Sequence, residues 1–118
     1  MILMHVYDKD KEKTITKIAG EMQQEIKRID MGQLDCTLNG LCTGKITKRP
    51  MKIPPLYYMP ELLVFSGLSG TQLDAFLEKY KASGLQPIAL KAITTMYNYN
   101  WTVMELIEEL EKERKTMR

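Results

Sequence analysis

Polar side chains at the ends of two predicted strands are of types that could bind an anionic group. Lys91 interrupts the apolar run Pro87–Ile93, and its positive charge could meet an anionic ligand or partner. Hydroxyl and amide side chains near it can donate hydrogen bonds to such a group or to a peptide backbone. The candidate ligand-binding residues are Ser66, Lys91, Thr95, Asn98 and Asn100. Structural roles compete with this one, because a lysine can snorkel outward and asparagines can hold a turn.

A second candidate surface is the basic stretch Lys45–Lys52 with two tyrosines close behind it. Basic side chains near aromatic rings suit a single-stranded nucleic acid, since they can meet phosphates and stack on bases. The candidate nucleic-acid-binding residues are Lys45, Lys48, Arg49, Lys52, Tyr57 and Tyr58. A solvated linker has the same composition, so nucleic-acid binding stays the alternative hypothesis.

The sequence predicts no enzyme, metal site or cofactor. His5 is the single histidine, and no nucleophile with a partner base, carboxylate pair or phosphate-binding glycine loop accompanies it. Cys36 and Cys42 are too few for a structural zinc site, and we interpret both as reduced thiols of a cytosolic protein.

Length and composition predict one compact domain. The chain has 118 residues, 44% of them hydrophobic, and a formal net charge of +2, which is too small to imply a partner. No apolar stretch approaches the length of a membrane span. We therefore expect a cytoplasmic protein with no membrane partner.

The second half of the chain predicts the order strand, helix, strand, helix. The strands are Leu62–Phe65 and Pro87–Ile93, each an apolar run next to proline or glycine. The first helix ends near Gly84, and the second runs from Thr102 to about Lys115.

The first half predicts a similar order and is less regular. A strand at Ile2–Tyr7 precedes a helix capped near Asp8 or Asp10. Glu25–Ile29 could prolong that helix or form a strand, and we favour the strand. A short helix over Gln33–Leu41 would complete the second copy.

Four prolines in residues 43–60 predict a linker without helix or strand. The expected division is therefore a first half at 1–42, a basic linker at 43–60 and a second half at 61–118. The predicted fold class is a small α/β domain, in two or three layers, of two βαβα halves with a short mixed or mostly parallel sheet. Right-handed crossovers would make the strand pair within each half parallel.

Two helix starts in the second half carry capping chemistry. Ser69 with Gln72 and Thr102 with Glu105 both have the spacing of a capping box. Trp101 then takes the first position of a hydrophobic staple, which gives the single tryptophan a packing role.

The segment from Pro60 to about Glu113 resembles the bacterial domain of unknown function family 3783. The residues that carry the resemblance are Phe65, Gly67, Ser69, Leu73, Lys91, Ala92, Thr95, Asn98, Asn100, Trp101, Thr102, Leu106 and Glu109. The resemblance implies a fold and a bacterial, cytoplasmic origin, and it implies no activity. We expect a non-catalytic binding or regulatory module whose partner is a protein, a small anionic ligand or a second copy in a homodimer.

Overall fold

A computed structural model describes residues 1–116 and shows a mixed α/β fold. Four helices and a four-stranded mixed sheet form within these residues. The elements are β1 (Ile2–His5), α1 (Lys9–Glu21), β2 (Ile26–Arg28), a 3₁₀ turn (Met31–Gln33), α2 (Leu38–Thr43), β3 (Leu62–Phe65), α3 (Gly70–Ala82), β4 (Leu90–Ile93) and α4 (Val103–Thr116).

The sheet has the strand order β2-β1-β3-β4. Each outer pair is parallel and belongs to one half of the chain, whereas β1 and β3 pair antiparallel at the centre. The predicted parallel pairing within each half is confirmed. The strand interpretation of Glu25–Ile29 is also confirmed, because Ile26 pairs with Ile2.

The described chain forms two compact units, and each unit draws on both halves of the sequence. The first unit, residues 1–28 and 60–93, contains the sheet with α1 and α3. Its core joins strand residues such as Ile2 and Leu63 to Ile15 of α1 and Phe76 of α3. The Phe65 and Phe76 rings meet edge to face, with centroids 5.1 Å apart.

A partly buried ion pair joins the start of α1 to the start of β3 in this unit. Lys11 Nζ lies 2.7 Å from Glu61 Oε1, and both side chains are about 85% buried, with 13% and 15% exposed. Burial raises the pKa of the Glu61 carboxyl, but hydrogen bonds from Lys11 and the Tyr7 and Asp8 amides outweigh it and hold that pKa below its ordinary value. The hydrogen bond to Glu61 raises the pKa of Lys11.

The second unit comprises residues 29–59 and the described residues from 94 onward. It places the starts of α2 and α4 side by side through an antiparallel bridge between Thr37 and Thr102. The Leu38 amide donates to the Trp101 carbonyl over 2.9 Å, and the Val103 amide donates to the Cys36 carbonyl over 3.0 Å. The two helix starts therefore form a reciprocal pair.

A repeated local pattern precedes both helices of the second unit. The Asp30 amide donates to the Gln33 side chain, and the Thr95 amide donates to the Asn98 side chain, each over 2.8 Å. Thr37 and Thr102 then cap α2 and α4. The corresponding residues lie 65 positions apart (95 − 30, 98 − 33 and 102 − 37), so this part of the chain contains two copies of one pattern.

The helix expected over Gln33–Leu41 lies later than predicted. Gln33 closes the 3₁₀ turn, and α2 begins only at Leu38, because Thr37 is its N-cap. The helix ends at Thr43, and its C-cap Gly44 has a left-handed backbone (φ +82°), which suits glycine. Residues 44–58 contain no named helix or strand, whereas Thr43, the first residue of the predicted linker, still belongs to α2.

Candidate interaction surface

Residues 44–58 form an exposed loop that we call the basic loop. It leaves α2 at Gly44 and ends before Met59, which is fully buried. Pro50, Pro54 and Pro55 lack the backbone donor that a continuous helix or sheet ladder requires. The chain therefore crosses the surface without regular structure.

Backbone hydrogen bonds fix the first part of this loop. The Thr37 amide donates to the Thr47 carbonyl over 2.9 Å, and the Arg49 amide donates to the Asp35 carbonyl over 3.0 Å. At Gly40 of α2, an added Cβ would stand 2.7 Å from the Thr47 amide nitrogen. The loop is thus seated directly on α2, and only glycine allows that approach.

Arg49 is engaged within the protein. Its guanidinium donates to the Asn100 carbonyl and lies 3.1 Å from the Glu105 carboxylate. The same carboxylate accepts the Thr102 amide in the capping box of α4. Arg49, a candidate nucleic-acid contact from sequence, therefore also ties the basic loop to the start of α4.

Three lysines of the loop are exposed, namely Lys45, Lys48 and Lys52. No acidic residue occurs in the sequence between Asp35 and Glu61. Every charged side chain of the loop is therefore positive, and all of them lie within Lys45–Lys52.

Large apolar side chains are interleaved with these lysines. Leu56 is fully exposed, Tyr58 is 73% exposed, and Ile46 and Ile53 also reach solvent. Tyr57, the other tyrosine of the sequence prediction, is half-buried. The loop therefore combines charge with uncovered hydrocarbon.

Leu56 stands at the tip of a turn in which its backbone is strained. The Tyr57 amide donates to the Pro54 carbonyl, which leaves Pro55 and Leu56 in the central positions. Leu56 has φ +58°, where glycine is usual, and this conformation costs an L-residue about 1–2 kcal/mol. The turn presents an aliphatic side chain at a place where glycine would be easier to accommodate.

A groove of about 290 Å³ runs along α4 in the same unit. We call it the α4 groove. Its lining is Trp101, Glu105, Glu108, Glu109 and Lys112. The lining is predominantly acidic, and the half-buried Trp101 lies at the end of the groove nearest the start of α4.

The strand-end candidates are distributed over both compact units. Ser66 follows β3 and Lys91 is exposed in β4, both in the first unit. Thr95, Asn98 and Asn100 lie in the second unit. Only the last three therefore lie in the same unit.

Thr95 and Asn98 hold the turn before α4, and Asn100 joins that turn to α2. The Thr95 hydroxyl accepts from the amides of Tyr97 and Asn98, and the Asn98 side chain accepts from the Thr95 amide. The Asn100 side-chain oxygen accepts a hydrogen bond from the side-chain amide of Asn39 over 3.2 Å. These contacts supply the turn role that competes with ligand binding, and the ligand site stays a prediction.

The structure contains a basic cleft on α1 that was not predicted from the sequence. It has a volume of about 510 Å³ and is lined by Lys9, Glu12, Lys13, Thr16, Lys17 and Arg28. The spacing of the lysines by four residues was a readable signal of one helix face. Arg28 forms an ion pair with Glu12, which neutralises part of the cleft.

Within residues 1–116, no group of three His, Cys, Asp or Glu side chains could hold a metal ion. Across the same residues, no helix is both long and apolar enough to cross a membrane. Neither Cys36 nor Cys42 forms a disulfide.

Comparison with protein families gives a match over the second half of the chain. Residues 61–117 match the family model described as "Domain of unknown function (DUF3783)". The matched range begins just before β3 and includes β3, α3, β4, the turn that follows and α4. No curated protein and no solved structure matches the chain.

Proposed function

We propose that this chain, whose residues 61–117 match the DUF3783 family model, is a non-catalytic binding module acting on a protein partner. Its contact surface is the second compact unit, centred on the basic loop. We further propose a bacterial and cytoplasmic setting, in which Cys36 and Cys42 remain thiols.

The uneven distribution of exposed apolar side chains carries this proposal. Among the described residues, seven of the nine exposed large hydrophobic side chains lie in the second unit. They are Met31, Ile46, Ile53, Leu56, Tyr58, Met96 and Tyr97. Concentrated exposed hydrocarbon is typical of interaction surfaces, whereas scattered single residues are ordinary.

The anchoring of the loop supports the same function. The Arg49–Glu105 ion pair and the Thr37–Thr47 hydrogen bond restrict the loop before any partner arrives. A surface that is already ordered loses less conformational entropy on binding. The loop is therefore suited to contact a partner rather than merely to link two halves.

Single-stranded nucleic-acid binding is the second candidate, and the run of positive charge from Lys45 to Lys52 favours it. Exposed aliphatic side chains such as Ile46 and Leu56 favour a protein surface instead, because they have no flat ring on which a base could stack. Both candidates use the same loop, so one experiment can separate them.

Site-specific photo-crosslinking in cells tests the proposal. A photoreactive phenylalanine analogue replaces Leu56 at the tip of the loop, and a matched variant carries it at Lys81, which is exposed on α3 of the first unit. We expect discrete protein adducts from position 56 that the position 81 variant lacks.

The nature of the adduct decides between the candidates. Adducts that disappear on nuclease treatment would establish the nucleic-acid alternative and reject a protein partner. The same adduct pattern from both positions, or none from position 56, would contradict the basic loop as a contact surface.

A further inference from the structure

The second compact unit carries two surfaces of opposite charge. The basic loop has three exposed lysines and no acidic residue, and the α4 groove is flanked by three glutamates. Arg49 pairs with one of these carboxylates, that of Glu105, and Lys112 also lines the groove, so Glu108, Glu109 and Lys112 together give it a formal net charge of −1 (+1 − 2). The unit therefore holds a cationic apolar surface and a groove whose net charge is negative.

We infer that the partner of the basic loop is the α4 groove of a second copy of this chain. This inference rests on the proposed function and names the partner of the same surface. In the dimer, Lys48 and Lys52 of one copy lie against Glu108 and Glu109 of the other. Leu56 is buried between the two copies.

The ion pair within one chain shows that the two surfaces are neighbours. Because Arg49 of the loop reaches Glu105 of α4, the loop and the groove lie side by side on one unit. A two-fold rotation can then set each loop against the groove of the other copy, which gives two equal contacts in a closed dimer.

Trp101 gives the groove a second means of binding a lysine, besides the negative charge of the glutamates. Its indole ring lines the groove, and an ammonium group over such a ring gains a cation–π attraction. Dimerisation would also remove the exposed Leu56 side chain from water, which is favourable for an aliphatic group. This gain is a reason for a leucine to occupy a turn position with a positive φ.

Analytical ultracentrifugation of the full chain tests the inference. We expect a concentration-dependent monomer–dimer equilibrium that weakens as salt is raised, because part of the attraction is screened. A chain that stays monomeric at low salt and high concentration would overturn it.

Charge reversal identifies the contact. Lys48→Glu with Lys52→Glu in one variant, and Glu108→Lys with Glu109→Lys in another, should each weaken dimerisation by roughly tenfold or more. Mixed together, the two variants should form a heterodimer, because both loop–groove contacts regain opposite charges. Failure of the mixture to associate would refute the pairing.

Two further variants exclude a loss of folding as the cause. Leu56→Gly should weaken dimerisation while leaving the monomer's melting temperature unchanged or higher, since glycine relieves the positive φ. Lys81→Glu, a matched reversal on α3, should leave association unchanged. Equal effects of Lys81→Glu and the loop variant would show a non-specific charge effect and reject the proposed interface.

The two proposals can fail separately. A monomer whose position 56 still crosslinks to another protein would reject the second copy and retain the binding module. A monomer without crosslinks would reject both.

Discussion

At the scale of single residues, Thr102 shows how local chemistry and tertiary contact meet on one side chain. It is fully buried, its hydroxyl accepts the Glu105 amide, and it also donates to the Met51 sulfur over 3.0 Å. The spacing of Thr102 and Glu105 was sufficient to predict the capping box, because a box needs only residues three apart. The contact with Met51 was not predictable, since it depends on where the basic loop passes.

Thr102→Ala should lower the free energy of unfolding by about 1–2 kcal/mol, because the first turn of α4 loses its cap. Urea denaturation of the variant and of Thr102→Ser, which keeps the hydroxyl, measures the effect. The serine variant should retain most of the stability. An unchanged midpoint for the alanine variant would mean that the box contributes nothing to α4.

Arg49 shows the limit of reading a charge from sequence. In the sequence it is one cation in a basic run, whereas in the structure it pairs with Glu105, 56 positions later (105 − 49). A pairing of this kind is set by the fold and not by spacing. Neutralising Lys48 and Lys52 is therefore a cleaner test of surface charge than neutralising Arg49.

At the scale of elements, the strands and longer helices followed from apolar patterning. β3 lies at the predicted residues, and α4 differs from its prediction by one residue at each end. β1 and β4 are shorter than predicted, because apolar runs extend beyond the residues that pair in the sheet. The short α2 was misplaced, since six residues give too little periodicity to read.

The close approach of the basic loop to α2 gives an element-scale prediction. Gly40→Ala should lower the free energy of unfolding by about 1–3 kcal/mol, because its Cβ would collide with the Thr47 amide. Gly20→Ala is the matched control: nothing lies within 4 Å of its Cβ in α1, and alanine is the better helix former.

Thermal denaturation of both variants distinguishes a steric effect from helix propensity. Gly20→Ala should raise the melting temperature slightly, and Gly40→Ala should lower it. A gain in stability at position 40 would show that the loop moves away from α2 without cost.

At the scale of the whole molecule, stability should depend on pH through the Lys11–Glu61 pair. The pKa of Glu61 is lowered in the folded protein, so its contribution is present above the ordinary carboxylate range and is lost as pH falls through the lowered pKa. The pKa of Lys11 is raised, so its contribution is lost only as pH rises through that raised value in strongly alkaline solution.

Glu61→Gln should cost about 2 kcal/mol near neutral pH, because Lys11 loses a charged hydrogen-bond partner in a partly buried site. Melting temperatures across the acidic range measure it. The difference between variant and wild type should narrow as pH falls and Glu61 becomes protonated. A constant difference at all pH values would show that the carboxylate charge is not the cause.

The sequence by itself determined the α/β class, the parallel strand pairs and the capping boxes, because these follow from periodicity and from contacts between near neighbours. Only the tertiary structure decided the central antiparallel pairing of β1 with β3, the two discontinuous units and the seat of the basic loop on α2. Each of these joins residues far apart in the chain. Their partners are selected by how the buried surfaces fit, which local patterns do not encode.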